Sequence, residues 1–364
     1  MISENKKFKL SVLFFSFYFI YSFKTVLLST SIQDDSIDIL KNFFNILSII
    51  LSIVSLIYIG NKERIVISLI GAFLVINYAL YHTVALYSYF ILFCMVSLTK
   101  KIEFRTILKI ILSSNILIII LMMPFIAFSH TFYRMDDRFG ERLTLGFGNA
   151  NVMAQFLIMM FSMAVLFIFN NTKGKSIKNL YLIISFALIS IVVYESGSRT
   201  GLAMITLSFL GFLWALNTKQ RNVSKKFKKI YCLGVILIIL FQLYTVTHFN
   251  ENAILITLNQ ALAGRVFYSY NLFSAMGVMP FLHGLNIDAF MPVDFYFIQY
   301  FYSLGLFLGL AFIYLYYREF NNGEYSKPAA IVLLTCLIAT ATESYFMIPL
   351  YNLSLFMVFY KKIS

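Results

Sequence analysis

A handful of ionised and amide side chains, set among long apolar runs, are the groups in this chain able to do chemistry. Arg134, Arg138, Arg142, Arg199 and Arg265 are arginines that fall outside the lysine-rich turns. A planar guanidinium grips phosphate or carboxylate oxygens through two parallel hydrogen bonds, a geometry lysine does not offer. Arg199 follows Gly197 and Ser198 at the start of an apolar run. A helix N-terminus there would add N–H groups to hold an anion, and snorkelling toward lipid head groups is the other use of such an arginine. Arg265 lies in Leu262-Ala263-Gly264-Arg265-Val266-Phe267. A charge in so apolar a stretch needs a partner, either an acid such as Glu251 or Asp288 or an anionic ligand. Two arginines converging on one cavity suit a pyrophosphate.

Arg134, Arg138 and Arg142 recur every four residues, and on a helix they would form one basic edge beside Asp137 and Glu141. Asn149 and Asn151 precede the next apolar run, as caps or as ligand-binding groups. Glu195 accompanies Arg199 in Tyr194-Glu195-Ser196-Gly197-Ser198-Arg199-Thr200-Gly201. His283, Asp288 and Asp294 are the candidate general bases, the histidine because it titrates near neutrality. Asp294 opens a run that continues through Tyr296 and Gln299, where capping a helix is its alternative role. Glu343, between the last two apolar runs, is either a turn residue or a wall of the same cavity. Metal-ligand spacing, a Ser-His-Asp order and a nucleotide-binding glycine loop are all missing, so no metal and no cofactor is expected.

The elements that must position these residues are membrane helices. Of 364 residues 60% are hydrophobic and only 12% charged, with a mean hydropathy of +0.82, outside the soluble range. Twelve apolar spans follow from the hydropathy, from Leu10–Leu28 through Phe295–Tyr317 and Ala329–Ala341 to Tyr345–Tyr360. The chain reads as one integral membrane domain, residues 1–364. The net charge of +13 does not point to nucleic acid, because most Lys and Arg sit in connections on one side, the positive-inside pattern. That pattern makes both termini cytoplasmic and the 249–294 interval, between spans nine and ten, a long external loop. Within it Glu251 to Ser269 has helical potential, with breaks expected at Asn271, Gly277 and Pro280. Cys94, Cys232 and Cys336 fall within or at the ends of spans as small packing residues.

Three stretches resemble the Wzy-type O-antigen and capsular polysaccharide polymerases and the related O-antigen ligases. They are Gly146-Phe147-Gly148-Asn149-Ala150-Asn151; Gly197-Ser198-Arg199-Thr200-Gly201; and Gly264-Arg265 with Pro280, Gly284 and Asp294-x-Tyr296 running into Leu304-Gly305-Leu306. The resemblance implies a multi-pass protein of the bacterial cytoplasmic membrane with a GT-C-like glycosyltransferase architecture. It also implies a metal-independent polymerase acting on undecaprenyl-diphosphate-linked oligosaccharide as donor and acceptor, alongside a flippase and a chain-length regulator in the membrane lipid. On that reading Arg199, Arg265 and Arg142 hold the diphosphate, with Arg265 also among the catalytic groups. Asp294 or His283 is the base, and Asn149, Asn151, Glu195, Tyr296 and Glu343 touch substrate. A ligase, which commonly has His where Asp294 stands, and a flippase of lipid-linked oligosaccharide are the alternatives.

Overall fold

The computed structural model describes residues 4–30, 35–83, 85–128, 131–136, 140–218, 222–343, 348–360 and 362–363. Among them, eight helices are long and apolar enough to cross a membrane. These are α1 (Glu4–Leu28), α2 (Asp35–Tyr58), α3 (Asn61–Tyr81), α5 (Phe104–Phe128), α6 (Ala150–Asn171), α7 (Lys175–Glu195), α8 (Arg199–Asn217) and α9 (Lys225–Thr247). Two shorter apolar helices, α4 (Ala85–Thr99) and α14 (Lys327–Thr340), pack among them. Local signals set several starts: Asn149 caps α6, Ser198 caps α8 and Ser224 caps α9, each side-chain oxygen accepting a first-turn N–H.

The other expected spans take different forms. The Phe295–Tyr317 run is split at Gly305, whose φ of 81° and ψ of 155° suit only glycine, into α12 (Tyr296–Leu304) and α13 (Leu306–Asn322). A Cβ on Gly305 would also lie 2.7 Å from the His283 carbonyl oxygen. The start of the last expected span, at Tyr345, lies outside the described residues, as do Asp137 and Arg138. Residues 348–360 form turns and one short helix, α15 (Ser354–Val358). Pro349 lacks an N–H, and Asn352 Oδ1 accepts from both the N–H and the hydroxyl of Ser354, so a continuous helix does not form. This segment is apolar because it fills the protein interior: Leu350, Leu353, Leu355 and Phe356 are buried.

Late in the chain, α10 (Ala253–Ala261) is capped by Asn252, and α11 (Arg265–Met276) follows a sharp turn at Ala263 and Gly264, both at positive φ. The expected break at Gly277 ends α11, whereas Asn271 lies within it. The expected basic helical edge at Arg134 and Arg142 is instead a hairpin, β1 (Tyr133–Asp136) with β2 (Gly140–Leu143), in which Arg134 sits directly opposite Arg142. Four-residue spacing also keeps side chains on one face of a strand, so the spacing alone does not separate the two.

At one end of the bundle, cations take up exposed helix C-terminal carbonyls. Arg64 Nε donates to Leu56 O at 2.8 Å, Lys178 Nζ to Phe169 O at 2.8 Å, and Lys228 Nζ to Asn321 O at 2.7 Å. The opposite end is organised by amides. Gln242, fully buried in α9, donates to Thr340 O at 2.9 Å and Ala341 O at 3.1 Å, and its Oε1 accepts from Phe297 N–H at 2.9 Å. One side chain thus satisfies the C-terminus of α14 and the N-terminus of α12. Gln242→Leu leaves three backbone groups unpaired and should cost about 3 kcal/mol or more. Denaturation in detergent checks this, and parental stability would be inconsistent with the clamp.

Candidate functional site

Polar ends of several elements meet at the Gln242 end of the bundle. Arg265 is the first residue of α11, after Gly264 in the left-handed region, and its side chain is only 11% exposed. Its Nη2 donates to Glu343 Oε1 at 2.6 Å, and its Nε lies 3.7 Å from Asp294 Oδ2. The second distance is too long for a hydrogen bond, and Nε is a buried donor with no hydrogen-bond partner. Glu343 follows α14 in a turn and is 4% exposed. Burial pushes its carboxyl up to about 7, outweighing the attraction of Arg265 and Arg142, with Asp294 adding repulsion. Asp294 does not cap α12. The cap residue is Phe295, and the carboxylate faces Arg265 instead.

Arg142, 5% exposed, reaches the same cluster from β2. Its Nε donates to Ser196 O at 2.7 Å, and its Nη2 lies 3.5 Å from Asn151 Oδ1. Asn151 Oδ1 also accepts from Ser198 Oγ at 2.9 Å, and Ser198 Oγ in turn accepts from Gly201 N–H at 3.2 Å. The starts of α6 and α8 and the end of α7 are therefore joined to the arginine. Gly201 lets α8 approach α6, since a Cβ there would stand 2.9 Å from that of Ala154. Gly146 has the same kind of constraint, with φ of 81° and Ile126 against it, so the Gly146-Phe147-Gly148 turn lays the chain over the end of α1.

The other expected residues are arranged differently. Asn149 is the α6 cap, its Oδ1 accepting from Asn151 N–H at 2.7 Å. Arg199 opens α8 with an exposed side chain, and Glu195 at the end of α7 is exposed as well. Of the three arginines expected around one anion, Arg265 and Arg142 are the two whose charge acts on Glu343. His283 is half-buried, with its ring stacked on Tyr81 of α3 at 3.9 Å. Asn77 of α3 accepts the neighbouring Gly284 N–H, so the described contacts hold this segment to α3 and the α12–α13 bend rather than to Arg265. Tyr296 is buried in an aromatic group, 5.4 Å from the Tyr300 ring and 5.0 Å from that of Phe297. Asp288 begins an exposed 3-10 turn.

Two glutamines went unnoticed in the sequence. Gln242 sets the helix ends that carry Glu343 and Asp294, and Gln155 donates to Tyr351 O at 3.1 Å beside Glu343. A void of about 10 Å³ there holds one water at most. An amide inside an otherwise apolar span was the available signal.

Chemically, the cluster holds two guanidinium and two carboxyl groups. It is neutral when both acids are ionised and gains one positive charge when Glu343 takes up a proton. No family model, no curated protein and no solved structure matches the chain.

The raised Glu343 value has a stability consequence with a definite sign. The folded state binds its proton more tightly than the unfolded state, so the associated stability is full below about pH 4.5 and is lost as pH rises to about 7. Glu343→Gln should flatten that slope in thermal melts, and an unchanged slope would contradict the assignment. Arg265→Ala, which strands a buried carboxylate, should be more damaging at high pH, by about 3–5 kcal/mol.

Proposed function

We propose that this protein is a polymerase of lipid-diphosphate-linked oligosaccharides, extending a capsular or O-antigen-type polysaccharide on the outer face of a bacterial cytoplasmic membrane. The observation that carries the reading is the convergence of Arg265 and Arg142 with Asp294 and Glu343, with Arg265 Nε buried and lacking a hydrogen bond. Such a site suits an incoming anion better than a purely structural ion pair, which would use that donor. Further support comes from the basic residues at the opposite end of the bundle, which on the positive-inside pattern is the cytoplasmic one.

In this reading the donor diphosphate binds Arg265 and Arg142, entering most readily when Glu343 is protonated and the cluster carries its positive charge. An acceptor hydroxyl attacks the anomeric carbon. The new C–O bond forms as the bond to the diphosphate breaks, and the departing oxygen takes the electron pair. The two guanidinium groups offset the charge that develops there. Asp294, the more exposed of the two acids at 26% against 5%, receives the hydroxyl proton. Ser198 and Asn151 hold Arg142 in line, a supporting role. A flippase is disfavoured because the ion cluster sits at helix ends rather than midway along the long helices.

The test is chain extension from lipid-linked repeat units in membranes. Arg265→Ala should lower it by about a hundredfold or more when activity is normalised to the folded protein recovered, which removes the stability cost of the buried pair. Asp294→Asn should lower it by about a hundredfold or more as well. His283→Ala should stay close to parental and Arg199→Ala should lose less than Arg265→Ala. Single unpolymerised units should accumulate in a deletion strain; long polymer still on its carrier would favour a ligase instead. Full extension by both Arg265→Ala and Asp294→Asn would overturn the reading.

A further inference from the structure

A second recess lies at the lysine-rich end, away from the arginine cluster. α5 connects the two ends: it starts next to the Lys100–Lys101 turn and runs 25 residues, about 37 Å, toward the β1–β2 hairpin that carries Arg142. The recess is a cleft of about 400 Å³ bounded by α3, α4 and α13, with Phe359 also in its lining. Its walls are apolar, formed by residues such as Val66, Ile67, Phe93, Leu308, Phe312 and Leu315. Its mouth is charged: Lys62, Lys100 and Arg318 stand with Glu63 and Glu319.

Charge and length together select an occupant. Lys100 Nζ pairs with Glu63 Oε1 at 2.8 Å, and Arg318 Nη2 pairs with Glu319 Oε1 at 2.6 Å. Lys62 is exposed and has no partner among the described residues, so the mouth carries one uncompensated positive charge. The apolar lining along α13 runs from Leu308 to Leu315, about 10 Å at 1.5 Å per residue, with Arg318 and Glu319 following at the mouth. That is about two-thirds of a single leaflet's share of the roughly 30 Å hydrocarbon core. A largely apolar trough reaching well into one leaflet, with a single net cation at the head-group level, matches the upper part of one acyl chain and one singly charged phosphodiester.

We propose that this cleft is a binding site for an anionic diacyl phospholipid, its phosphodiester held by Lys62 with Lys100 and Arg318 and an acyl chain lying between α3 and α13. The packing gives the lipid a structural task. α3 is joined to the rest of the bundle mainly through α4, and its helix is exposed along most of its length. A chain lying in the cleft bridges α3 to α13, and α3 also carries Asn77 and Tyr81, which hold Gly284 and His283 of the long loop. The site does not depend on the proposed polymerase chemistry.

The test uses the detergent-purified full chain, equilibrated separately with phosphatidylglycerol, phosphatidylcholine and a prenyl diphosphate, with retained lipid read by native mass spectrometry. Phosphatidylglycerol should be retained over phosphatidylcholine, and Lys62→Gln should weaken its retention about fivefold. Ala311→Trp, which fills the cleft without altering charge, should abolish retention, whereas Lys226→Gln, an exposed cation outside the cleft, should not change it. Equal retention of the two phospholipids, preference for the prenyl diphosphate, or retention unaffected by both Lys62→Gln and Ala311→Trp would overturn the proposal. If Ala311→Trp does not fold, the lipid preference and the Lys62→Gln comparison still decide it.

Discussion

A guanidinium that is about nine-tenths buried has to be met by carboxylates, and Arg265 brings together parts of the chain that are far apart in sequence. Its partners come from the turn after α14 and from the residue before the α12 cap. Neither partner is placed by Arg265 alone, because both ends are fixed by the amide of Gln242. A buried ion pair of this kind is poor as a source of stability, since desolvation of both ions opposes their attraction. Burial wins at Glu343, whose carboxyl is pushed to about 7 although a guanidinium lies 2.6 Å away. The arrangement is costly to keep and leaves a donor unused, which is the balance expected of a binding site rather than a strut.

Interrupted helices make this convergence possible. A helix that runs straight across a bilayer keeps its peptide groups paired within itself and offers few polar groups at depth. Here the helices stop at Gly264, Gly277 and Gly305, each at positive φ, which frees helix-end backbone groups. The freed groups find partners: Asn259 Oδ1 accepts the Phe267 N–H, the Tyr302 hydroxyl donates to Gly277 O, and Leu306 and Phe307 N–H donate to Pro280 O and Phe281 O. The polar network is thus a consequence of breaking helices in a place where water is scarce.

The two ends of the bundle use charge differently. At one end Lys and Arg satisfy helix C-termini and reach the surface, and one net cation is left at the mouth of a largely apolar cleft. At the other, Arg265 is buried against Glu343 and Asp294, while Arg142, held by Ser196 O and Asn151, adds its charge to the same cluster. The chain's positive charge is therefore divided between helix C-termini at one end and a buried ion cluster at the other.

Local and compositional features were readable from the sequence, because their physics is short-range. Most of the long apolar runs became helices, Asn149, expected as a cap or a ligand-binding group, became a cap, and Gly277 became a helix stop. The need of Arg265 for an acid was also legible, since a buried charge cannot stand alone. Which acid was not: Glu251 and Asp288 are nearer in sequence, yet Glu343 and Asp294 are the partners. The fate of the last apolar runs was equally hidden, because hydropathy records that a segment leaves water and not whether lipid or protein replaces it. Thus Phe295–Tyr317 bends at Gly305, and residues 348–360 fold back into the interior. By itself the sequence determined an all-helical, membrane-compatible chain with scarce, meaningful charges. The tertiary structure alone decided that Arg142, carried on a hairpin, joins Arg265 and Glu343 while Arg199 faces outward, since that choice depends on packing between elements that no local spacing encodes.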